Sequence, residues 1–154
     1  MVRFAHTNIV ARDWRRLARF YEVVFGCVLV PPEREHRGEW LERGTGVRGA
    51  ALAGAHLRLP GHGPQGPTLE VFQYAEPLEG HEPAPNRIGL AHLAFEVDDP
   101  AAVIEAVVRA GGARLGEITS HDVPGVGRLT FAYARDPEGN VLEIQRWEHD
   151  AGGT

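Results

Sequence analysis

The chain has 154 residues, of which 43% are hydrophobic and 24% are charged, and its formal net charge is -5. This length suits one compact domain or two half-domains that share a core, and the negative balance argues against a general electrostatic role on nucleic acid or on an anionic membrane. The single cysteine, Cys27, excludes an internal disulfide and a cysteine-rich zinc site. The opening residues lack the features of a secretory signal and no segment is apolar enough to span a bilayer, so we expect a cytoplasmic location.

The chain contains a repeat of one strand and one helix. The segment FAHTNIVARDWRRLARFYEVVFG at 4–26 aligns without a gap with LAHLAFEVDDPAAVIEAVVRAGG at 90–112, at an offset of 86 (92 − 6). Each copy has the alternation of a strand, an aspartate at a helix N-cap position, a helical spacing of apolar residues, and a glycine where the helix should end. The residues that mark the helix ends are Asp13 and Gly26 in the first copy and Asp99, Pro100, Gly111 and Gly112 in the second.

A second pair of matching segments lies downstream of the strand–helix repeat. The strand pattern TLEVFQY at 68–74 aligns with VLEIQRW at 141–147, at an offset of 73 (143 − 70). Each copy therefore has room for two further strands between its helix and its last strand. We expect these four strands at 37–43, 48–59, 113–120 and 127–135. The Pro-rich segment 75–89 predicts a linker, and the segment 149–154 predicts a disordered tail.

This order of elements predicts an α+β fold in which strand–helix–strand–strand–strand is built twice. A four-stranded sheet with one helix on it buries only one of its faces well. We therefore expect the two uncovered faces to form a concave surface.

Four polar residues occupy equivalent strand positions in the two copies. His6 aligns with His92, and Glu70 aligns with Glu143. Period-2 alternation assigns the apolar neighbours of the glutamates to the helix-covered face, so the four side chains are expected on the concave faces. Taken singly, a strand histidine is more often a hydrogen-bonded structural residue, and a strand glutamate is more often solvated or in a salt bridge. Their joint recurrence at equivalent positions favours a shared site.

The burial of two carboxylates in one hollow costs several kcal/mol unless a positive charge compensates them. A divalent cation removes this cost, and two imidazoles complete a neutral N₂O₂ set. The sequence therefore predicts a metal site with His6, Glu70, His92 and Glu143 as ligands of Zn, Ni, Co, Mn or Fe.

Other chemistry-bearing residues give weaker signals. His56, in AHLRLP, is a candidate to line the cavity, whereas the other histidines lie in polar, Gly-rich or terminal segments that are typical of solvated loops. No serine–histidine–aspartate or cysteine–histidine arrangement stands out, and the GVRG and GVGR segments are too short for phosphate loops. The remaining histidines are His36, His62, His81, His121 and His149.

The motifs FAHTNIVARDW, FY, LEVFQY, GLAHLAFEVDD and ARDPEGNVLEIQ resemble those of the vicinal oxygen chelate superfamily. This superfamily includes glyoxalase I, methylmalonyl-CoA epimerase, extradiol dioxygenases and bleomycin-resistance proteins. The resemblance covers residues 3–148, and DPEGNVLE is its most specific part. It implies one domain over 1–154, made of two βαβββ modules at 3–76 and 88–148, which form a concave, barrel-like mixed sheet with the helices outside.

The same resemblance assigns the metal to His6, Glu70, His92 and Glu143, a set similar to that of glyoxalase I. It implies an enzyme that chelates two neighbouring substrate oxygens and moves an α-proton through an enediolate or enolate. Such an enzyme is a glyoxalase-type lyase or isomerase, or an acyl-CoA epimerase. Glu143 is the candidate base.

In epimerases of this superfamily a second acid or base lies on an early strand, and Glu42 and Glu39 are the candidates here.

Two other interpretations stay open, namely a metal-free protein that sequesters a small molecule, as bleomycin-resistance proteins do, and an Fe(II) dioxygenase of extradiol type. The implied partner is a small molecule such as a thioester or a hemithioacetal, with no nucleic acid and no membrane. Many such domains pair as homodimers, and the four ligands come from one chain or are shared between two.

Overall fold

The computed structural model describes residues 1–149, which divide into two compact units with a boundary between Gly80 and His81. The α+β class and the duplicated order of one strand, one helix and three strands are confirmed, with an added helix α2 in the first unit and an added short strand β6 in the second. The first unit contains β1 (His6–Val10), α1 (Trp14–Phe25), β2 (Val28–Arg37), α2 (Glu39–Thr45), β3 (Ala51–Arg58) and β4 (Thr68–Tyr74). The second contains β5 (Leu93–Glu96), α3 (Pro100–Arg109), β6 (Ala113–Arg114), β7 (Thr119–Val123), β8 (Gly127–Arg135) and β9 (Val141–His149).

Each unit has its own open sheet, in which the first strand lies beside the last. In the first unit the strand order is β1-β4-β3-β2, with β1 parallel to β4 and the other neighbours antiparallel. In the second unit the order is β5-β9-β8-β6, with β5 parallel to β9, and β7 also pairs with β8. In the first unit, β1, which begins at His6, therefore lies beside β4, which carries Glu70. In the second unit, β5, which begins just after His92, lies beside β9, which carries Glu143.

Helix α1 begins and ends as the sequence predicts. The Asp13 carboxylate accepts a hydrogen bond from the Arg16 backbone N–H at 3.1 Å, which satisfies one of the unpaired donors of the first turn. Gly26 ends the helix with a φ of 68°, a left-handed conformation that glycine adopts at little cost. Leu17 and Tyr21 are fully buried between α1 and the sheet, and such burial contributes about 1.5–3 kcal/mol for a large apolar side chain.

Helix α3 confirms Asp99 as its N-cap, because this carboxylate accepts hydrogen bonds from two backbone N–H groups of the first turn, at 2.9 and 3.1 Å. Pro100 occupies the first helical position, where its missing N–H has no cost. The C-cap is Ala110 rather than the predicted Gly111 or Gly112. The φ of Ala110 is -84°, which any residue adopts, and the left-handed turn follows one residue later, at Gly111 with a φ of 92°.

The prediction of a strand at 37–43 is wrong. β2 ends at Arg37, the first residue of this segment, and the residues from Glu39 onward form α2. Pro31 and Pro32 argue against a strand because proline has no N–H donor, but β2 lies at the edge of its sheet, and its pairing with β3 is interrupted where the prolines lie. An edge strand tolerates proline at such a gap.

The other expected strands are present with adjusted ends. The segment expected at 48–59 forms β3, and 127–135 forms β8. The segment 113–120 divides into β6 and the start of β7, whereas 75–89 has no helix or strand, as expected of a linker. Strand β9 extends to His149, and the rest of the predicted disordered tail lies outside the described residues. Over residues 1–149, no helix is long and apolar enough to cross a membrane.

Gly54, two residues before His56 on β3, lies where a side chain has no room. A Cβ atom there would lie 2.1 Å from the Val71 carbonyl oxygen and 2.3 Å from the Phe72 ring. We expect Gly54→Ala to lower the free energy of unfolding by about 1–3 kcal/mol, because the neighbouring strand has to move. Urea unfolding followed by circular dichroism measures this loss.

The matched control for this substitution is Gly44→Ala in α2. A Cβ atom at Gly44 meets nothing within 4 Å, and alanine favours a helix more than glycine does, so this variant is expected to be as stable as the parent or more stable. An equal loss of stability in both variants would contradict the steric explanation for Gly54.

Candidate metal centre

The two predicted glutamates lie on the sheet faces opposite the buried side chains. On β4, Leu69 and Val71 are buried, while the Glu70 side chain between them keeps 13% of its surface exposed. On β9, the residues on either side of Glu143 are fully buried, while the Glu143 side chain keeps 14%. The alternation predicted from the sequence is therefore confirmed at both positions.

Three donor side chains meet on this face of the first unit. Glu70 Oε2 lies 3.4 Å from His6 Nε2, and Glu70 Oε1 lies 2.9 Å from His56 Nε2. One ligand atom from each residue lies within 4.8 Å of the other two. The strand order explains this convergence, because Glu70 is on β4, and the histidines are on its two neighbours, β1 and β3. We call His6, His56 and Glu70 the first-unit triad.

Two polar neighbours orient the first-unit triad. The Asn8 side-chain amide donates to Glu70 Oε2 at 3.0 Å, from the position directly opposite Glu70 on β1. His56 Nδ1 is hydrogen-bonded to Thr68 Oγ1 at 2.9 Å. These bonds hold the carboxylate and the ring in place and leave His56 Nε2 directed at Glu70.

Burial is the main influence on the protonation of His56 and favours its neutral form. Burial lowers the pKa of His56, and the Glu70 carboxylate opposes this shift. The neighbouring Arg34 and His6 side chains add to the lowering of that pKa. In the part of the chain that the structure describes, the ion-pair partners of Glu70 are the two histidines and no arginine. A mostly buried carboxylate between two imidazoles is a donor set that suits a divalent cation.

The second unit also brings its two predicted residues together. His92 Nε2 lies 2.9 Å from Glu143 Oε2, and the two side chains keep 30% and 14% of their surface exposed. His92 Nδ1 is buried and has no hydrogen-bond partner among residues 1–149. The ring centroids of His92 and Tyr133 are 5.3 Å apart. Burial, followed by the charge of Glu143, raises the pKa of Tyr133, so the phenol keeps its proton at neutral pH.

His56 and Tyr133 hold the same position in the two sheets. His56 lies directly opposite Glu70 in the β3–β4 pair, and Tyr133 lies directly opposite Glu143 in the β8–β9 pair. The connecting hairpins differ in length, with separations of 14 residues (70 − 56) and 10 residues (143 − 133). The first unit therefore has an imidazole where the second has a phenol.

The four predicted ligands thus form two pairs, one in each unit. His6 pairs with Glu70, and His92 pairs with Glu143. His6, Glu70 and Glu143 are on the strands that the repeat indicated, and His92 lies directly before β5. The assembly of both pairs around one ion stays a prediction.

The sequence indicated His56 only as a cavity residue, although it carries a clear signal. It lies between Ala55 and Leu57, both fully buried, which is the same apolar flanking that singled out the glutamates. The missing information was its pairing partner, since only the β3–β4 register places it opposite Glu70.

The predicted second acid or base lies on a helix. Glu42 and Glu39 are on α2 and not on the early strand expected for them, because the chain leaves β2 before it reaches them. Glu39 is exposed, and its carboxylate lies 3.9 Å from the guanidinium of Arg43. Neither glutamate belongs to the first-unit triad, so a catalytic role for Glu42 stays a prediction.

Cys27 does not have the properties of a nucleophile. It is 3% exposed, and burial, followed by the charge of Glu22, raises the pKa of the thiol to about 12. A thiol with this pKa is protonated at neutral pH, whereas the thiolate is the reactive form.

A family model described as a glyoxalase-like domain matches residues 6–145, which is most of the chain. The chain belongs to the glyoxalase-like domain family. The matched range of this glyoxalase-like chain includes the first-unit triad and the His92–Glu143 pair, and the resemblance to the vicinal oxygen chelate superfamily is confirmed. No curated protein sequence matches the chain.

Solved structures with the glyoxalase-like fold match nearly the whole chain. A glyoxalase family protein from Bacillus cereus matches with a TM-score of 0.81 and 21% identity, over 96% of this chain and 95% of the other. A glyoxalase family protein from Enterococcus faecalis matches with a TM-score of 0.58 and 24% identity, over 93% and 96%. A glyoxylase/bleomycin resistance protein/dioxygenase domain from Frankia sp. EAN1pec matches with a TM-score of 0.56 and 20% identity, over 96% and 99%. At these identities the similarity establishes the glyoxalase-like fold, and the chemistry has to be argued from the residues.

Proposed function

We propose that this glyoxalase-like protein is a divalent-metal-dependent enzyme that binds a small molecule through two neighbouring oxygen atoms and moves its α-proton. The reaction is that of a glyoxalase-type lyase or isomerase, or that of an acyl-CoA epimerase. The observation that carries the proposal is the convergence of His6, His56 and Glu70, whose donor atoms lie within 4.8 Å of one another around a carboxylate that is only 13% exposed.

The donor atoms fit a divalent ion of the first transition row. Imidazole nitrogen and carboxylate oxygen are ligands that suit Zn, Ni, Co, Mn and Fe. His6 and Glu70 would hold the ion in the first unit, and His92 and Glu143 are the remaining ligands predicted from the sequence. When bound, the ion supplies Lewis acidity, which withdraws electrons from chelating substrate oxygens and makes the neighbouring C–H group acidic.

Glu143 is the residue proposed to accept the proton. Its Oε2 atom lies 2.9 Å from His92 Nε2, so the imidazole orients the carboxylate. His92 therefore acts as a positioning residue for Glu143 in this proposal.

A second function, an Fe(II) dioxygenase of extradiol type, is favoured by one observation. The first-unit triad has two histidines and one carboxylate, which is the ligand composition of many non-haem iron oxygenases. The two functions differ in the co-substrate, because only the dioxygenase consumes O₂. Oxygen uptake by the iron-loaded protein with a catechol would favour the dioxygenase over proton transfer.

Metal content is the first test of the proposed function. Protein purified without a chelator is expected to carry a stoichiometric divalent ion, measured by plasma mass spectrometry. Glu70→Gln is expected to lose the ion, because a neutral amide is a much weaker ligand than a carboxylate. The matched control is Glu117→Gln, at an exposed glutamate outside the first-unit triad. A wild-type chain that takes up no divalent ion would contradict the proposal and favour metal-free sequestration of a small molecule.

Exchange of the α-proton then separates the reaction classes. In deuterium oxide, the metal-loaded protein exchanges the α-hydrogen of methylmalonyl-CoA if it is an acyl-CoA epimerase, and a glyoxalase-type enzyme converts a hemithioacetal instead. The absence of both reactions would remove the proton-transfer assignment.

A homodimer and a cytoplasmic location belong to the same proposal, and sedimentation of the purified chain tests the first of them.

A further inference from the structure

We infer that the face of the first sheet that carries Glu70 binds a carboxylate group of a small organic acid, through the guanidinium groups of Arg34 and Arg58. The inference rests on the proposed function, in which a small molecule binds beside Glu70, and it adds the chemical class of that molecule. The ligand is then an anion that has a carboxylate in addition to its two chelating oxygens. We call this side of the first sheet the Glu70 face.

The pairing of β2 with β3 places Arg34 on the Glu70 face. Arg34 lies directly opposite Gly54, and His56, two residues along β3, lies directly opposite Glu70. Residues that are opposite each other, or two apart on one strand, share a face. Arg34 and His56 are therefore diagonal neighbours, about 7–8 Å apart and within reach of a long side chain. Burial lowers the pKa of His56, and the charge of Arg34 adds to this lowering, which agrees with the placement.

Arg58 reaches the Glu70 face from the other side of His56. It is the last residue of β3 and lies two residues after His56, so the two side chains point the same way. Its partners across the neighbouring strands are Val28 and Thr68, and neither of them carries a charge. Both Arg58 and Arg34 are partly buried. The two guanidinium groups thus flank the position of His56 on one sheet face.

Neither arginine has a carboxylate partner among residues 1–149. The Arg34 side chain donates a hydrogen bond to the Pro32 carbonyl oxygen, and within the same residues the Arg58 side chain makes no hydrogen bond or ion pair. A guanidinium group has five N–H donors, so most of these donors are unused. A partly buried charge without a counter-charge is unfavourable, and an anionic ligand removes this cost.

The acidic residues near Arg34 are engaged elsewhere. The Glu33 carboxylate accepts two hydrogen bonds from Arg15, both at 2.7 Å. Glu35 is next to Arg34 on β2 and therefore points to the opposite face. Glu70 contacts the two histidines of the first-unit triad. Because the chain has 21 acidic residues and only 16 lysines and arginines, two arginines without a carboxylate partner on one face are a local exception.

The chemistry of arginine favours a carboxylate as the ligand group. The planar fork of a guanidinium matches the two oxygens of a carboxylate, and the resulting hydrogen bonds are charge-assisted. An arginine has no acceptor atom and does not bind a cation. The arginines therefore bind a part of the small molecule other than the two oxygens that chelate the ion. The expected ligand has neighbouring oxygens at one end and a carboxylate at the other.

A matched pair of organic acids tests this inference. 2-Oxoglutarate and 2-oxopentanoate share a 2-oxo acid group, whose two neighbouring oxygens chelate a metal ion, and only 2-oxoglutarate has a second carboxylate in place of a methyl group. Calorimetric titration of the metal-loaded full chain measures the Kd of each compound. We expect 2-oxoglutarate to bind roughly 10-fold or more tightly, because a hydrogen bond to a charged group contributes about this factor. The double variant Arg34→Gln/Arg58→Gln is expected to bind both compounds equally.

The matched control for the double variant is Arg37→Gln. Arg37 is exposed at the end of β2, three residues after Arg34, so it points to the opposite face. This control is expected to keep the preference for 2-oxoglutarate. Arg34→Gln and Arg58→Gln are also tested singly, in case the double variant folds poorly, and each is expected to lower the preference. An unchanged preference in both single variants, or in the double variant, would overturn the inference.

The same titrations separate the inference from the proposed function. If the wild-type chain takes up a divalent ion but binds the two compounds equally, the carboxylate site is overturned and the proposed metal dependence survives. If the chain takes up no ion, the pair of compounds is titrated into the metal-free protein. A preference for 2-oxoglutarate that is lost in the double variant then supports the carboxylate site while the metal dependence is contradicted, and equal binding overturns both.

Discussion

Replacement of Glu143 by glutamine is expected to slow α-proton transfer by roughly 10²–10⁴-fold, which is the range that a positioned acid or base contributes. Glutamine has nearly the same shape as glutamate and still reaches His92, whose Nε2 atom lies 2.9 Å from Glu143 Oε2 in the native chain. The amide, however, does not accept a proton at neutral pH. The measurement is kcat for the reaction that the metal-loaded wild-type protein catalyses, followed as deuterium exchange or as product formation.

The control for this variant lies on the same strand. Glu148 is exposed near the end of β9, where it pairs with Arg146 at 2.9 Å, and Glu148→Gln is expected to keep the wild-type kcat. The metal content of Glu143→Gln, measured in parallel, separates a loss of the base from a loss of the ion. A kcat close to that of the wild type would exclude Glu143 as the base.

The largest effect on stability is expected for Asp136→Ala, in the turn that leads into β9. Asp136 is 3% exposed. Its carboxylate accepts hydrogen bonds from the backbone N–H groups of Glu138 and Asn140, both at 2.9 Å, and from the Asn140 side chain at 2.8 Å. Hydrogen bonds to a charged group contribute about 1.5–3 kcal/mol, and alanine leaves these donors without an acceptor, so we expect the free energy of unfolding to fall by about 2–4 kcal/mol. Urea unfolding measures the loss.

An exposed aspartate provides the comparison for Asp136→Ala. Asp122 on β7 pairs with Arg128 at 2.9 Å, and its side chain keeps 78% of its surface exposed. Exposed ion pairs contribute about 0–1 kcal/mol, so Asp122→Ala is expected to have little effect. Similar losses in the two variants would show that the buried turn is not the source of the stability.

The elements that the sequence predicted correctly depend on short-range rules. The N-caps Asp13 and Asp99 accept hydrogen bonds within their own first turns, and these interactions need no information from the rest of the chain. The alternation around Glu70 and Glu143 is equally local, because successive strand residues point to opposite faces. The repeat added the long-range information, since it aligned two segments of the same chain.

The wrong prediction of a strand at 37–43 and the failure to place His56 beside Glu70 have the same cause. Both depend on strand pairing, which the sequence does not reveal. Pro31 and Pro32 are acceptable in β2 only because this strand lies at an edge and its pairing has a gap there. The position of β2 in the sheet cannot be derived from its own residues. Because β2 occupies earlier residues than predicted, the residues that follow it form α2.

The sequence by itself determined the α+β class, the duplication, the ends of α1, and the placement of two histidines and two glutamates at equivalent positions. Only the tertiary structure decided that β4 lies between β1 and β3, and hence that His56 joins His6 at Glu70 while Tyr133 takes the same position beside Glu143. The physical reason is that helix caps and side-chain alternation are set by neighbours in the chain, whereas the register across a sheet depends on hairpin length and packing. The hairpins of the two units differ in length, so His56 and Tyr133 do not align in the sequence. They are equivalent because each lies opposite the glutamate in its own strand pair.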